Sequence, residues 1–451
     1  MRAENSNPET TTDISSVTTY CGQMARPPNV FLLSADALRA DHATELVEAV
    51  AERTGGTRFS NAVAPASHTA SSIPALATGR FIDEAGAVEE SLRPSSLSAD
   101  GYRTQLLTDN PIAADALTER SAGEAGGLSN LLDDLLPRGV TRPVERAYFR
   151  RLWPAMRRLG LADPYYRPAA RLHERALEGL SGETDPIFCW LHYMDTHSPY
   201  YVPNDGEATE GFDPDRTAAM SRSLTLGDAA DVDRTEAETV ARLYRRACDH
   251  LGGSVVEFVD ELRERGLYRA DRDVLAVTAD HGECLDPERG VFGHLPPASW
   301  ESLVHVPLVV ARPDWPASTV DEQVSLVALP DMLRPDPGTA APPTDFGREY
   351  VETVAGTLTA AGVVRGVRRA DGEKLFGRRT ADGTDVVHTR YEVGDPAAET
   401  VVEEPYGEGE AATGVPEGLL ERAADAGGLV GDEQYLSGVD ESHLRALGYV
   451  E

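Results

Sequence analysis

Four short runs of apolar residues recur along the chain, and each has the length and composition of a β-strand that is buried on both faces. The runs are Asn29–Ser34, Phe188–Tyr193, Val274–Thr278 and Val306–Val310. Between the second and third runs, apolar side chains recur every three or four positions from Glu236 to Arg265, which is the period of an amphipathic helix. Buried strands that alternate with helices predict an α/β fold, with a mostly parallel sheet sandwiched by helices.

Polar residues follow three of the four predicted strands at short distance. Asp36 follows the first run, Asp195 and His197 follow the second, and Asp280 and His281 follow the third. In a sheet of this kind, ligands bind beyond the carboxyl ends of the strands, so we expect these side chains to approach one another. Carboxylate oxygens and imidazole nitrogens together bind divalent cations. Asp36, Asp280 and His281 are therefore predicted to form a metal site, although a single Asp after a strand more often caps a helix.

A cluster of hydroxyl side chains precedes the apolar stretch that ends at Gly79. The segment from Ser67 to Ser72 leads into residues that are compatible with a helix. A hydroxyl at a helix N-terminus lies where the helix dipole and free N–H groups stabilise an anion. On these residues alone, an ordinary Ser or Thr N-cap is the simpler interpretation of Thr69.

The pattern changes after about Pro330. Alternating stretches near Val351–Val367, Glu373–Gly377 and Asp385–Val393 are typical of short antiparallel strands and predict a small antiparallel α+β subdomain. The predicted units are a disordered leader (1–25), a main domain (26–330) and this C-terminal subdomain (331–451).

The charge balance narrows the classes of partner. The 451 residues include 75 acidic and 42 basic side chains, a net charge of −33, and Lys374 is the only lysine. A carboxylate excess of this size suits a protein that stays soluble in very high salt, where screening removes self-repulsion. A GC-rich genome, which favours Arg, Ala, Gly and acidic residues, is the alternative explanation. Such a surface disfavours nucleic acid as a partner, because its backbone is also anionic.

The sequence contains no signal that directs the chain to a membrane or an oxidising compartment. No apolar run approaches the roughly 18–20 residues needed to cross a bilayer. The first residues lack the basic and apolar pattern of a signal peptide. The four cysteines are scattered, without the spacing of a zinc site or a disulfide framework. A cytoplasmic protein is therefore expected.

Residues 91–178 are expected to form a helical insertion. Its second half, residues 138–175, carries ten arginines against three acidic residues, a net charge of +7 in an otherwise acidic chain. Three interpretations stay open: packing against the acidic body, an electropositive wall beside the active site, and peripheral contact of Tyr148–Trp153 with an anionic membrane.

Several blocks of sequence resemble the sulfatase branch of the alkaline phosphatase superfamily, and they occur in the family's order. The blocks are NVFLLSADALRADH from Asn29, SHTASSIPALATGR from Ser67, FCWLHYMDTHSPY from Phe188, the stretch that ends in TADHGE at Glu283, FGHLPPASWESLVHVPLVV from Phe292, and the terminal LRALGYVE. The resemblance implies an alkaline-phosphatase-like fold with residues 26–330 as the catalytic domain. It also implies hydrolysis of a phosphate or sulfate ester, carried by a small molecule, a glycan or a lipid.

The resemblance further implies roles for six residues of this chain. By their match to the family's motifs, these are the ligands of one divalent metal ion (Asp36, Asp280, His281), the nucleophile (Thr69), a substrate contact (His197), and a group that neutralises the transferring group or assists the leaving group (His294). A divalent ion polarises the ester oxygens and activates the hydroxyl, while cationic side chains stabilise the anion. Ca, Mg, Mn and Zn all remain candidates for the metal.

The chain departs from the family's pattern next to the nucleophile and next to the first metal ligand. Sulfatases that use formylglycine make it from Cys or Ser, whereas this chain has Thr69, with Ser71 and Ile73 in place of the usual Pro and Arg. The aspartate that often follows the first ligand is Ala37. An unmodified hydroxyl acting on phosphorus is therefore favoured. Two alternatives stay open: a phosphoryl or phospho-alcohol transferase, and an inactive binding protein with the same fold.

Overall fold

The computed structural model describes most of the chain, with short internal gaps. The described residues are 27–81, 92, 97–98, 100–118, 152, 155–156, 159, 166–182, 185–200, 202, 234–286, 291–294, 298–334, 341–356, 363–380, 383–393, 395–402 and 416–425. The predicted leader, most of the arginine-rich stretch 138–165 and the terminal LRALGYVE block lie outside the described residues. Within the described ranges, no helix combines the length and the apolar character that a bilayer span requires.

The described elements are numbered in chain order. The strands are β1 (Val30–Ala35), β2 (Thr57–Val63), β3 (Arg103–Thr108), β4 (Ile187–Tyr193), β5 (Val274–Ala279), β6 (Cys284–Asp286), β7 (Val291–Gly293), β8 (His305–Ala311), β9 (Thr319–Val320), β10 (Val324–Ser325), β11 (Tyr350–Gly356), β12 (Val363–Arg369), β13 (Glu373–Thr380), β14 (Gly383–Glu392) and β15 (Asp395–Val401). The α-helices are α1 (Thr44–Thr54), α2 (Thr69–Thr78), α3 (Pro111–Thr118), α4 (Ala169–Leu180), α5 (Arg234–Glu264), α6 (Glu301–Val304), α7 (Leu329–Leu333) and α8 (Glu417–Asp425).

The main sheet has eight strands in the order β10-β2-β8-β5-β1-β4-β3, with β9 paired to β2. The central strand β1 is parallel to both β4 and β5, whereas β8 runs antiparallel between β2 and β5. β1, β4 and β5 are buried along their whole length, which explains why their sequences are apolar without alternation. The predicted α/β architecture is confirmed, and β8 is its reversed strand.

Helix α5 presents the apolar stripe that the sequence predicts. The apolar residues that recur every three or four positions in this stretch are all buried: Val240, Leu243, Tyr244, Ala247, Leu251, Val255, Phe258 and Leu262. The helix packs against α1 and α4, so its long apolar face joins the core of the main domain.

The prediction that residues 91–178 form a helical insertion is wrong for residues 103–108. These residues are strand β3, which is parallel to β4 at the edge of the main sheet. Of the six residues of β3 only Leu107 is buried, so the strand lacks the continuous apolar run that identifies a central strand. Helices α3 and α4, in the same interval, agree with the prediction.

The C-terminal subdomain is a five-stranded antiparallel sheet in the order β11-β12-β13-β14-β15, as the alternating pattern predicts. Helix α8 packs against β12 and β13. The first strand also contacts the main domain. The Val354 amide donates to the Pro65 carbonyl at 2.8 Å, and the Ser67 amide donates to the Val354 carbonyl at 3.2 Å. The subdomain thus holds the loop that leads into α2.

A buried group of charges, called here the Glu301 cluster, joins the two parts of the molecule. Its members are Glu301, Arg368, Lys374 and Glu399. Arg368 Nε lies 3.0 Å from Glu301 Oε1, while Lys374 Nζ lies 2.9 Å from Glu301 Oε1 and 2.7 Å from Glu399 Oε1. Burial favours a raised pKa for Glu301, but the two cations outweigh it and hold the pKa at about 2. Every charge in this cluster has an opposite charge in contact.

Candidate active site

The predicted metal ligands lie side by side at the ends of two adjacent strands. Asp36 follows β1, and Asp280 and His281 follow β5, with Ala35 opposite Ala279 in parallel register. All three side chains are fully buried. One ligand atom from each lies within 4.8 Å of the others, which is the spacing of side chains that share one cation. The structure therefore brings the three residues together.

The turns after both strands have unusual backbone geometry. Ala37 has a φ of 61°, in the left-handed region that a non-glycine residue adopts at a cost. In this conformation its amide donates to Asp280 Oδ1 at 3.3 Å, and its carbonyl accepts from the Tyr244 hydroxyl at 2.7 Å. A Cβ at Gly282 would lie 2.1 Å from the Ser302 carbonyl oxygen, so only glycine fits there. Both turns thus fix the positions of the neighbouring ligands.

The free atoms of the three residues fit a divalent cation. Asp36 Oδ1 and Asp280 Oδ2 are buried without a hydrogen-bond partner, and each lies 3.6 Å from His281 Nε2. His281 Nδ1 lies 2.8 Å from the Gly282 carbonyl oxygen, so Nδ1 carries a proton and Nε2 presents its lone pair. Unpaired buried carboxylate oxygens are costly unless a cation compensates them. The donor set suits the cation that the sequence resemblance implies.

Thr69 borders the same group of atoms. It is the first residue of α2, and its Oγ1 lies 3.3 Å from both Asp36 Oδ2 and His281 Nε2. The N-cap residue of α2 is His68, whose side chain makes no capping bond. Thr69 is therefore not the N-cap that its residue type alone suggests. It is the first helical residue, and its hydroxyl faces the predicted metal ligands Asp36 and His281.

Two further predicted residues, His197 and His294, approach this point. The ring centroids of His294 and His281 are 4.5 Å apart, and those of His294 and His197 are 5.2 Å apart. His294 Nδ1 lies 3.2 Å from Glu283 Oε1, while Tyr200 donates to Glu283 Oε2 at 2.6 Å. All six residues singled out by the sequence thus lie in one buried group.

The electrostatic environment differs between the two carboxyl groups. Burial favours a raised pKa for both. Three histidines outweigh burial at Asp36 and lower its pKa: His197, His192 and His281. At Asp280, burial together with the neighbouring Asp36 charge keeps the pKa raised. The two neighbouring carboxyl groups are therefore shifted in opposite directions.

The pKa values of two neighbouring imidazoles, His294 and His68, are also shifted in opposite directions. Burial works against the charged form of His294, but the Glu283 carboxylate outweighs burial and raises its pKa. Burial lowers the pKa of His68 to about 3, so this ring is neutral near pH 7. Among these two rings, His294 is the one suited to donate a proton.

The sequence analysis missed three polar residues of the site: Asn110, His192 and Glu283. Asn110 Nδ2 lies 2.7 Å from Asp36 Oδ2, and His192 Nε2 lies 3.5 Å from the same oxygen. His192 was hidden inside an apolar run, and Asn110 inside the supposed insertion. The signal that could have found Asn110 is its place between a strand and Pro111, since Asn before Pro is typical of a helix start.

Asp195, which also follows a strand, does not join the metal ligands. Its Oδ1 accepts a hydrogen bond from the Ala169 amide at 3.1 Å, at the beginning of α4. Burial raises the pKa of Asp195 to about 7. Asp195 thus serves the start of a helix, the common role of an Asp after a strand.

Comparisons with known proteins agree with this architecture. The sulfatase family profile matches residues 28–333, about two thirds of the chain. The phosphonate monoester hydrolase of Agrobacterium radiobacter has a similar structure, with a TM-score of 0.53 and 16% identity over 80% of this chain and 89% of that chain. The phosphonate monoester hydrolase from Silicibacter pomeroyi gives a TM-score of 0.52 and 16% identity over 82% and 92%.

A third similar structure is a protein in the alkaline phosphatase superfamily from Vibrio parahaemolyticus, with a TM-score of 0.51 and 16% identity over 94% of this chain and 89% of that chain. At these identities the similarity concerns the fold. No curated protein matches the chain significantly in sequence. The predicted fold class is confirmed.

Proposed function

Since the chain belongs to the sulfatase family of ester hydrolases, we propose that it is a metal-dependent hydrolase of phosphate or sulfate esters with Thr69 as its nucleophile. The observation that carries the proposal is the position of Thr69 Oγ1, 3.3 Å from both Asp36 Oδ2 and His281 Nε2. The hydroxyl thus borders the atoms that fit a cation. It also lies in the first turn of α2, where the helix dipole favours a bound anion.

Asp36, Asp280 and His281 would hold the cation through Oδ1, Oδ2 and Nε2 respectively. A bound divalent cation neutralises charge on the ester oxygens and favours the ionised form of a neighbouring hydroxyl. The protein's own contribution is to keep two carboxylate oxygens and one lone pair free, buried and close together. The choice among Ca, Mg, Mn and Zn is part of the test below.

In the first step, Thr69 Oγ attacks the phosphorus or sulfur atom, and the bond from that atom to the leaving oxygen breaks. Thr69 Oγ1 lies 3.3 Å from Asp36 Oδ2, beside the atoms that would hold the cation, and its proton is lost to solvent as the hydroxyl ionises. His294, whose Nδ1 lies 3.2 Å from Glu283 Oε1 and whose ring lies beside that of His281, gives a proton to the leaving oxygen. The product is a covalent ester on Thr69 and a free alcohol.

In the second step, water attacks the same phosphorus or sulfur atom, and the bond to Thr69 breaks. Neutral His294 accepts the proton of the water, and the Thr69 oxygen takes up a proton from solvent. The residues then return to their starting protonation states. Phosphorus is the favoured centre, because a threonine side chain does not yield formylglycine and an unmodified hydroxyl must serve instead.

The test is a comparison of hydrolysis rates for an aryl phosphate, an aryl phosphodiester, an aryl phosphonate monoester and an aryl sulfate. Each is assayed in molar KCl, as the net charge of −33 suggests, with Ca, Mg, Mn and Zn in turn. The variants are Thr69→Ala and Thr69→Ser, with Thr78→Ala as the matched control at the other end of α2. Mass spectrometry of quenched reactions measures the covalent adduct on the Thr69 peptide.

The proposal requires turnover that Thr69→Ala removes, Thr69→Ser partly retains and Thr78→Ala leaves intact. An adduct that passes to an added alcohol faster than to water would replace the hydrolase with the transferase alternative. Metal-independent turnover, or turnover that survives Thr69→Ala, would contradict the proposal. No turnover with any of the four substrates would favour the inactive binding protein.

We also propose residues 26–330 as the catalytic domain and residues 331–451 as the C-terminal subdomain. The extent of the family match, residues 28–333, supports this boundary. The hydrogen bonds between Val354 and the loop before α2 mean that the subdomain contributes to the shape of the active site.

A further inference from the structure

Asn110 is a fully buried amide that connects the edge of the main sheet to Asp36. It lies two residues beyond β3, directly before Pro111, the first residue of α3. Its Nδ2 lies 2.7 Å from Asp36 Oδ2, so the contact spans two strand ends that are separated by β4. None of the roles assigned above uses this residue.

The orientation of the Asn110 amide is fixed by the helix that follows it. Asn110 Oδ1 accepts hydrogen bonds from the Ile112 amide at 2.9 Å and from the Ala113 amide at 3.2 Å. These are free N–H groups of the first turn of α3, so Asn110 is its N-cap. A reversed amide would direct its NH₂ group at two donors and its oxygen at a carboxylate. Nδ2 must therefore donate to Asp36.

Three contacts converge on one oxygen of Asp36. Oδ2 receives the Asn110 amide at 2.7 Å and the Thr69 hydroxyl at 3.3 Å, and His192 Nε2 lies 3.5 Å away. The other oxygen, Oδ1, has no hydrogen-bond partner and lies 3.6 Å from His281 Nε2. The carboxylate is thus held by one oxygen and presents the other.

We propose that Asn110 is a positioning residue that fixes the rotation of the Asp36 carboxylate, so that Oδ1 faces the cation. The inference rests on the proposed metal-dependent function. Asn is suited to this place because one side chain must accept from the α3 amides and donate to a carboxylate. Groups that orient a metal ligand through its second oxygen typically change metal affinity by 10–100-fold when removed.

The experiment separates the donor of Asn110 from its capping oxygen. Asn110→Ser keeps an N-cap acceptor but loses the donor that reaches Asp36, whereas Asn110→Ala loses both. The dissociation constant for Mn²⁺ is measured by isothermal titration calorimetry on the full chain, with Asp280→Asn as the variant that lacks a ligand. Unfolding by guanidinium in EDTA measures the stability of each metal-free variant.

We expect both Asn110→Ser and Asn110→Ala to bind Mn²⁺ about 10–100-fold more weakly than the wild type. Only Asn110→Ala is expected to lose stability without metal, because serine still caps α3. If Asn110→Ser binds Mn²⁺ as tightly as the wild type, and only the destabilised Asn110→Ala binds it more weakly, the positioning role is overturned. The proposed metal site itself would not be contradicted by that result. A wild type that binds no Mn²⁺, like Asp280→Asn, would instead overturn both this inference and the proposed function.

Discussion

The molecule contains two buried groups of charges that are built on opposite principles. In the Glu301 cluster, Arg368 and Lys374 lie within 3.0 Å of Glu301 oxygens, and every charge is paired inside the protein. In the active site, Asp36 and Asp280 each keep one buried oxygen without a partner. The first group contains its own cations. The second would be balanced by a cation from solution, as the proposed function requires.

The difference indicates how to recognise a ligand site in a chain with so many carboxylates. Burial alone does not distinguish the two groups, since both lie in the interior. Charge balance distinguishes them. In the Glu301 cluster, two carboxylates face the two cationic side chains Arg368 and Lys374, whereas the carboxylates of Asp36 and Asp280 face only imidazoles. Removing one carboxylate should therefore have opposite consequences in the two places.

The largest effect is expected from Glu301→Gln. The substitution keeps the shape of the side chain but leaves Arg368 and Lys374 buried with one carboxylate, Glu399, in place of two. Loss of one partner of a buried ion pair typically lowers the free energy of unfolding by about 3–5 kcal/mol. Guanidinium unfolding in molar KCl measures the change. A loss below about 1 kcal/mol would show that Glu399 alone balances the cluster.

Asp280→Asn should have the contrasting effect in the active site. Its Oδ1 can still accept the Ala37 and His281 amides, but one buried negative charge is removed. We expect Mn²⁺ to bind at least about 100-fold more weakly, which corresponds to about 2.7 kcal/mol. The metal-free protein should be as stable as the wild type or more stable, because the repulsion from Asp36 is gone. Calorimetric titration measures the Mn²⁺ affinity, and unfolding in EDTA measures the metal-free stability. If metal-free Asp280→Asn is strongly destabilised, it does not differ from Glu301→Gln in the expected way.

The pH dependence should also have opposite signs. The pKa of Glu301 is held at about 2, below its usual 4.5, so its contribution is present above pH 4.5 and is lost as the pH falls towards 2. The stability difference between the wild type and Glu301→Gln should therefore shrink by about 2 kcal/mol between about pH 5 and pH 3. Unfolding curves at several pH values measure it.

The pKa of Asp280 is raised above its usual 3.8, so its contribution has the reverse sign. Its favourable contribution is present below pH 3.8 and is lost as the pH rises through the folded-state pKa. Without metal, Asp280→Asn should therefore have a higher free energy of unfolding than the wild type only at the higher pH. A difference in free energy of unfolding that stays constant across the pH range would contradict the raised pKa of Asp280.

The smallest effect is expected at an exposed ion pair, which serves as the reference for both groups. Glu48 Oε1 lies 2.9 Å from Arg58 Nη1 at the surface. Glu48→Gln should change the free energy of unfolding by less than about 0.5 kcal/mol, and molar KCl should remove even that difference. A change as large as that of Glu301→Gln would show that burial is not what gives the Glu301 cluster its importance.

Much of the fold could be predicted from the sequence, because central strands must be apolar on both faces. This requirement makes β1, β4, β5 and β8 visible as continuous runs. An edge strand has no such requirement, which explains why the sequence pattern does not reveal β3 and predicts a helical insertion there instead. Sequence periodicity therefore finds the centre of this sheet better than its edge.

The same limit applies to the site. Asp36, Asp280 and His281 could be predicted because polar residues directly after buried strands are conspicuous. His192 lies inside an apolar run, so its polar contact could be found only from the three-dimensional arrangement. Asn110 lies just beyond the edge strand β3, and its contact with Asp36 spans 74 positions of sequence. Long-range partners of this kind leave no local pattern.

The hydrogen bonds of Val354 to Pro65 and Ser67 have a consequence for the synthesis of the protein on the ribosome. The segment that carries Thr69 emerges early, but its partner strand is made almost three hundred residues later, as the positions of Thr69 and Val354 show. We therefore expect Thr69, the proposed nucleophile, to reach its final position only after β11 has left the exit tunnel. A chain that ends before Val354 would lack both hydrogen bonds, and with them the support that β11 gives to the loop before α2.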